Sequence, residues 1–303
     1  MTRPVRALSQ AFRRFSGGDL SVRLPVSPNR WSEIGGTDVR TLMLDFNYMA
    51  DRVNELVDAQ KLLIRDVSHE LRSPLARLRM ALEIARDDKD EILPSLDRME
   101  AEADRVNELI GQMLTLSLME STGHLTRLEE FSIDDMMETL LPDMKFEAAA
   151  RGCTILYQKP SEIPLINGNP ELFRRGVENV VRNAIRHTAP NTAVEIEVSY
   201  DTSLRVTNKL HNTTHLGGVR IQIRDRGPGV PEPSLPNLFR AFYRTDAARQ
   251  DSTGGFGVGL SIAERSVELH GGSIRAFNRK GGGLMVDILV PFTGQLDLAF
   301  KET

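Results

Sequence analysis

The chain has 303 residues, 40% hydrophobic and 26% charged, with a formal net charge of −4. That is ordinary globular composition at a length for two domains or one domain with appendages, and it excludes the basic footprint of direct nucleic-acid binding. The single cysteine, Cys153, excludes a disulfide framework or a cysteine-rich zinc site and fits a reducing compartment; no signal-peptide core and no apolar run near the ~18 residues of a membrane span is present, so the chain as given is expected to be soluble.

In chain order, Leu8, Phe12 and Phe15 are spaced for one helix face, Gly17-Gly18 ends that helix, and Leu20, Val22 and Leu24 alternate towards Pro25. A second helix carries Leu42, Phe46, Met49, Val53 and Leu56 on one stripe and is expected to run on through His69 to Ala85. Two short amphipathic helices cannot bury their stripes alone, so they should pair with another copy. Within the second helix, Val67, Leu71, Leu75, Leu78 and Leu82 form a buried seam. His69, two residues from both Val67 and Leu71, lies nearly opposite that seam at about 100° per residue. Glu70 sits beside it. Pro74 offers no N–H to the Glu70 carbonyl, so the helix should bend or soften there. Taken alone, such a histidine is more often a solvated helix residue.

After the polar break Asp87-Asp88-Lys89-Asp90, a third helix carries Leu96, Met99, Ala103, Val106, Ile110 and Met113 at heptad spacing. The short connection implies an antiparallel hairpin, and one hairpin leaves half its seam wet, so two chains should close a four-helix bundle. Met99 and Met113 read as core filler.

Past Thr122 the pattern changes to mixed helix and strand. Ser132 with Asp135 reads as a capping box for a helix reaching Arg151, with Gly152 at its C-terminal end. Asn169-Pro170 starts a helix to about His187. Alternation marks strands at Val194–Tyr200 and Val219–Ile223, separated by a long polar stretch, Asp201 to Gly218, expected to be an idle hairpin loop. A helix from Gly259 to His270 and strands near Ser273–Phe277 and Leu284–Val290 complete an α/β sandwich.

Three glycine and amide clusters carry chemistry. Asn179 and Asn183, four apart on one helix face, can present two carbonyl oxygens to a hard cation, and Arg186 extends the polar face by a turn; alone, such asparagines are more often surface groups. Asp225-Arg226-Gly227-Pro228-Gly229 follows a strand, where the glycines let backbone approach a flat ligand and the carboxylate can accept from an exocyclic amine. Gly254-Gly255-Phe256-Gly257-Val258-Gly259-Leu260 opens a helix whose N–H groups can hold phosphates. Each is weak by itself.

Their order is not weak. His69, Asn179/Asn183, Asp225/Gly227/Gly229, Phe239/Phe242 and Gly255/Gly257/Gly259 resemble the H, N, G1, F and G2 boxes of sensor histidine kinases, over essentially the whole chain. Pro4, Gly18-Asp19-Leu20 and Glu33-Ile34-Gly35 resemble a HAMP linker. The likeness is to the HAMP-bearing, HisKA-type class of two-component kinases that includes CpxA and EnvZ, and Phe242 to Arg249 lean towards CpxA-like members.

The resemblance implies a HAMP linker over 1–57, a dimeric antiparallel four-helix bundle over 58–122 and a GHKL (Bergerat-type) α/β sandwich over 123–303. It implies ATP and Mg²⁺ as ligands, the metal held through Asn179 with Asn183 close by. Asp225 would read the adenine amine. Gly255, Gly257, Gly259 and Leu260 would wrap the phosphates beneath a lid from Thr245 to Thr253, and Arg186 and Arg244 would neutralise phosphate charge. His69 would take the phosphoryl group with Glu70 accepting its proton, and pass it to an aspartate of a cognate response regulator. Ser73 stands where the family often has a threonine that orients a hydrolytic water, which implies a phosphatase side. Homodimerisation, a preceding transmembrane sensor and an inner-membrane location with this portion in the cytoplasm follow. His187 replaces a usual tyrosine, Arg186 a common lysine, and Phe256 and Val258 a frequent threonine and leucine. Two other readings compete: a nucleotide-binding scaffold without kinase activity, and a GHKL-type ATPase.

Overall fold

The computed structural model describes residues 3–25, 36–88, 90–121, 128–208, 213–245 and 255–292. It divides into two compact units, Met1–Ser73 and Pro74–Thr303.

In the first unit α1 (Arg3–Ser16) ends at Gly18, whose φ of +98° suits a residue without a side chain. The connector then lies along α2 (Gly36–Asp87). Ala11, Val22, Leu24, Met43, Phe46 and Ala50 bury one another, and the rings of Phe12 and Phe15 meet Phe46 edge-on at 4.8 and 5.9 Å. Asn47 grips the Leu24 peptide: its Oδ1 accepts from the Leu24 N–H and its Nδ2 donates to the Leu24 carbonyl, both at 2.8 Å. The face turned towards α1 is therefore Met43, Phe46 and Ala50. Leu42 and Met49, on the stripe expected to pair with another copy, are exposed in the single chain. Glu33-Ile34-Gly35 lies outside the described residues. As expected, α2 is one helix through His69; Pro74 lies within it.

The second unit begins with a helical hairpin made by the end of α2 and α3 (Ile92–Ser121). Its antiparallel sense shows in Arg77, which donates through Nε and Nη2 to the two carboxylate oxygens of Glu102, each at 2.8 Å, with Arg105 adding a third contact. Those hydrogen bonds hold the Glu102 carboxyl below its usual range. Leu109, Leu116 and Met119 are buried, and Arg175 Nη1 to Thr115 Oγ1 (3.1 Å) and Arg265 Nε to the Met119 carbonyl (3.2 Å) fasten α3 to the sandwich.

The sandwich consists of β1 (Glu129–Phe131), α4 (Ile133–Ala150), β2 (Thr154–Gln158), β3 (Ile166–Gly168), α5 (Pro170–His187), β4 (Ala193–Asn208), β5 (Thr213–Arg224), a 3-10 turn (Glu232–Asn237), α6 (Gly259–Leu269), β6 (Ser273–Asn278) and β7 (Leu284–Pro291). β1 pairs with β3. The main sheet has the order β2-β4-β5-β7-β6, with β2 and β4 parallel and the other pairs antiparallel. The core joins Met137 and Met144 of α4, Phe173, Val177 and Val181 of α5 and Val267 of α6 to Val194, Ile196, Ile221 and Ile288 of the sheet. Each such side chain contributes about 1.5–3 kcal/mol by leaving water. The caps are as read: Ser132 Oγ accepts from the Asp135 N–H (3.2 Å) and Asn169 Oδ1 from the Leu172 N–H (3.0 Å).

Within the stretch expected to be a loop, residues 201–208 and 213–218 are strand, and 209–212 lie outside the described residues. β4 and β5 continue as a ribbon to the pair Asn208 and Thr213, after a register shift between Asp201 and Arg205. At that shift Asp201 Oδ1 accepts from the Ser203 N–H at 2.8 Å and from its hydroxyl at 2.7 Å. The ribbon's apolar signal is short, Leu204 and the buried Val206 alone among polar residues, which is why the stretch reads as loop.

Candidate functional site

The helix α5 positions the site, because glycines of two later loops are fitted against it. A Cβ on Gly259 would stand 2.9 Å from Asn179 Oδ1, one on Gly255 would stand 2.2 Å from Arg186 Nη1, and one on Gly227 would stand 2.3 Å from the His187 carbonyl. At Gly227 a side chain would collide with backbone, while at Gly255 and Gly259 the Arg186 and Asn179 side chains would have to move aside. Asn179 Nδ2 donates to the Arg175 carbonyl at 2.8 Å, which aims Oδ1 at the start of α6; Asn183, one turn on, is half-buried. Gly257 has φ +76°, and its carbonyl accepts from the Phe242 N–H at 2.9 Å, while Phe242 itself holds φ +63°. The loop with Phe239 and Phe242 is thereby fastened to the glycine loop. Phe239 and Leu260 pack on the core.

Charge in the site is unevenly satisfied. Among the described residues, Arg186 Nε is buried without a hydrogen-bond partner, and burial presses its guanidinium below the ordinary value, with Arg151 and Arg244 pushing the same way against Glu108 and Glu147. A half-buried cation beside Gly255, with a second guanidinium near, suits an anion. Asp225, 4% exposed, accepts at Oδ1 from the Gly227 N–H (2.8 Å) and the Leu284 N–H (3.1 Å). Burial nevertheless raises its carboxyl above the usual range; the two N–H bonds only partly oppose it. No group of three or more His, Cys, Asp or Glu side chains able to hold a metal occurs among the described residues. Asn179 and Asn183 are neutral oxygen donors one turn apart on α5, a donor chemistry that suits a hard cation bound mainly by phosphate and water.

The structure brings Asn179, Arg186, His187, Arg244 and the glycines of both loops into one neighbourhood, and Asp225 packs behind Gly227. His69, Glu70 and Ser73 belong to the first unit. On α2 His69 is exposed, Glu70 half-buried, and Ser73 exposed one turn on along the same face. The lid beyond Thr245 lies outside the described residues. Sequence reasoning missed Thr188, whose Oγ1 accepts from the Arg226 N–H at 3.0 Å, and the turn of Asn278 and Arg279, whose one visible sign was Gly281-Gly282-Gly283.

Three family descriptions match in succession: HAMP domain over residues 1–30, His Kinase A (phospho-acceptor) domain over 59–122, and histidine kinase-, DNA gyrase B- and HSP90-like ATPase over 168–294. The chain belongs to the HAMP-containing, HisKA-type sensor histidine kinases. Among particular proteins, it is 30% identical over 293 residues to the sensor histidine kinase CpxA of Escherichia coli (strain K12), covering 96% of this chain and 58% of CpxA. In fold it is similar to histidine kinase ThkA in complex with response regulator protein TrrA (TM-score 0.60, 19% identity, 82% of this chain and 66% of that one). It is likewise similar to full-length ShkA in complex with AMPPNP (TM-score 0.55, 24% identity, 76% of this chain and 45% of that one). The chain thus spans little more than half of CpxA. No helix among the described residues is long and apolar enough to cross a membrane.

Proposed function

We propose that the chain is the cytoplasmic part of a membrane-anchored, dimeric sensor histidine kinase that phosphorylates itself on His69 from ATP and hands the group to an aspartate of a cognate response regulator. The observation that carries this is the fit of Asn179 and Arg186 against Gly259 and Gly255 beside the buried Asp225, in a chain that also presents His69 outward on a helix. Its working parts are a HAMP linker (1–57), a dimerising phospho-acceptor hairpin (58–122) and a nucleotide-binding sandwich (123–303). The likeness to ThkA and ShkA, solved with a regulator and with a nucleotide analogue, supports both partners.

Both N–H bonds to Asp225 land on Oδ1, and the second oxygen is the one offered to the adenine amine. Arg186 and Arg244 set positive charge against the phosphates, and the start of α6 adds backbone N–H groups. Asn179 and Asn183 would hold Mg²⁺, which supplies charge neutralisation on the phosphates when bound. The unprotonated ring nitrogen of His69 attacks the γ-phosphorus, the bond from phosphorus to the ADP oxygen breaks, ADP leaves, and the single proton on the opposite ring nitrogen passes to Glu70. Ser73, on the same face, orients water for dephosphorylation of the regulator.

The test is incubation with γ-labelled ATP and Mg²⁺, followed by peptide mapping. Acid-labile, base-stable label on His69, absent from a His69→Gln chain that still binds ATP and dimerises, is the expected result. Free phosphate without labelled protein would instead indicate an ATPase, and binding without either product a scaffold.

A further inference from the structure

The segment Asp225–Val230 is gripped at both ends by one turn, Asn278–Leu284. At the far end, Asn278 Oδ1 accepts from the Val230 N–H at 2.9 Å and Nδ2 donates to the Val230 carbonyl at 2.6 Å. At the near end, Arg279 Nη1 donates to the Asp225 carbonyl at 2.8 Å while Nη2 meets the Glu195 carboxylate at 3.2 Å. Glu195 is shared with Arg226, whose Nη2 lies 2.6 Å away. The turn itself is shaped for this approach. Gly281, Gly282 and Gly283 have φ of +95°, +98° and +97°, and a Cβ on Gly283 would stand 2.2 Å from the Asp225 carbonyl. The Arg279 N–H closes the turn on the Gly283 carbonyl at 2.9 Å, and Leu284, which follows, exchanges two bonds with Asp225, from its N–H to Oδ1 and from the Asp225 N–H to its carbonyl at 3.0 Å.

We infer that Arg279 is a positioning residue for purine recognition: tied to Glu195, it fixes the Asp225 backbone so that the carboxylate keeps the orientation that selects a 6-amino purine. This rests on the proposed role of Asp225. The guanidinium acts through the Asp225 backbone: its planar fork bridges Glu195 on β4 and the Asp225 carbonyl just beyond β5, a fixed geometry that an ammonium does not hold. A carboxylate whose backbone drifts still occupies the site but meets the amine at poor distance and angle, and a polar site discriminates only while its geometry holds.

A merely structural Arg279 would lower the melting temperature and weaken every nucleotide alike, whereas a positioning Arg279 changes the preference between nucleotides. The test uses the whole chain. Calorimetry gives dissociation constants for ATP and for purine riboside triphosphate, which lacks the 6-amino group, in the wild type, Arg279→Ala, Arg279→Lys and Glu195→Gln. We expect the wild-type preference for ATP to shrink about tenfold in Arg279→Ala through weaker ATP binding, and by less in Arg279→Lys, with the analogue within about twofold throughout. Should Arg279→Ala not fold, Arg279→Lys and Glu195→Gln carry the same ratio. An unchanged ratio in folded variants, or equal weakening of both nucleotides, overturns the positioning role alone. A wild-type chain without preference overturns the reading of Asp225 and the positioning role with it.

Discussion

In the sandwich, Phe173, Val177, Ile196, Ile221 and Ile288 are 1% exposed or less, while along the hairpin Leu75, Leu82, Leu96 and Ile110 keep between 41% and 52% of their surface. Both regions are built from amphipathic elements, yet only one closes within a single chain. A five-stranded sheet buries one face beneath helices that the same chain supplies. Two antiparallel helices expose as much stripe as they cover, and Arg77 with Glu102 ties them together without hiding the rest. The region proposed to bind nucleotide is complete in one copy, and the open apolar stripe sits on the region that is not.

The strongest way to break that contrast is to charge the open stripe. Leu96→Asp with Ile110→Asp should turn a dimer into monomers at micromolar concentration, a loss of at least about 1,000-fold, because each lost apolar side chain and each desolvated carboxylate counts twice in a symmetric pair. Sedimentation reads it, with ATP affinity as the control that should hold. A persistent dimer would place the interface elsewhere.

Next in size is Asp225→Asn, which should weaken ATP about 100-fold by replacing an acceptor oxygen with a donor amide, and leave dimerisation intact. Its stability should move the other way. Because burial raises the folded carboxyl, the folded chain holds that proton more tightly than the unfolded one, and stability is lost as pH rises through the folded value. The asparagine has no charge to desolvate and can still accept from Gly227 and Leu284, so at pH 7 the variant should melt no lower than the wild type in scanning calorimetry. A large drop would make Asp225 a structural residue.

The smallest effect sharpens the sandwich's independence. His270 is buried, its Nδ1 2.7 Å from the Ser266 carbonyl and its Nε2 accepting from the Asn169 N–H at 3.0 Å. Burial pushes the imidazole below its ordinary value, so on acidification the unfolded chain takes up a proton that the folded one resists. Stability present above the ordinary histidine range near pH 6.5 is therefore lost as pH falls further. Melting should drop between pH 7 and pH 5 in the wild type. In His270→Gln the drop should be shallower from a start about 1–2 kcal/mol lower. Equal slopes would assign the acid sensitivity to another group.

Much of this molecule follows from local rules. The caps at Ser132 and Asn169, the run of α2 through an outward His69, and the glycines opening α6 depend on residues within a turn or two of one another, where periodicity and hydrogen-bond inventory decide the outcome. The order of the boxes was legible for the same reason. What the tertiary structure alone decided depends on partners far apart in the chain. Asn47 reached the Leu24 peptide, 23 residues away, and Met43, Phe46 and Ala50 are the face of α2 buried within one chain. Residues 201–208 and 213–218 became strand because each paired with the other, and the one alternation there, Leu204 with the buried Val206, is too short to announce it. Arg279 met Asp225 and Glu195 from 54 and 84 residues away, a meeting set by sheet order, and sheet order is written in no single stretch of sequence.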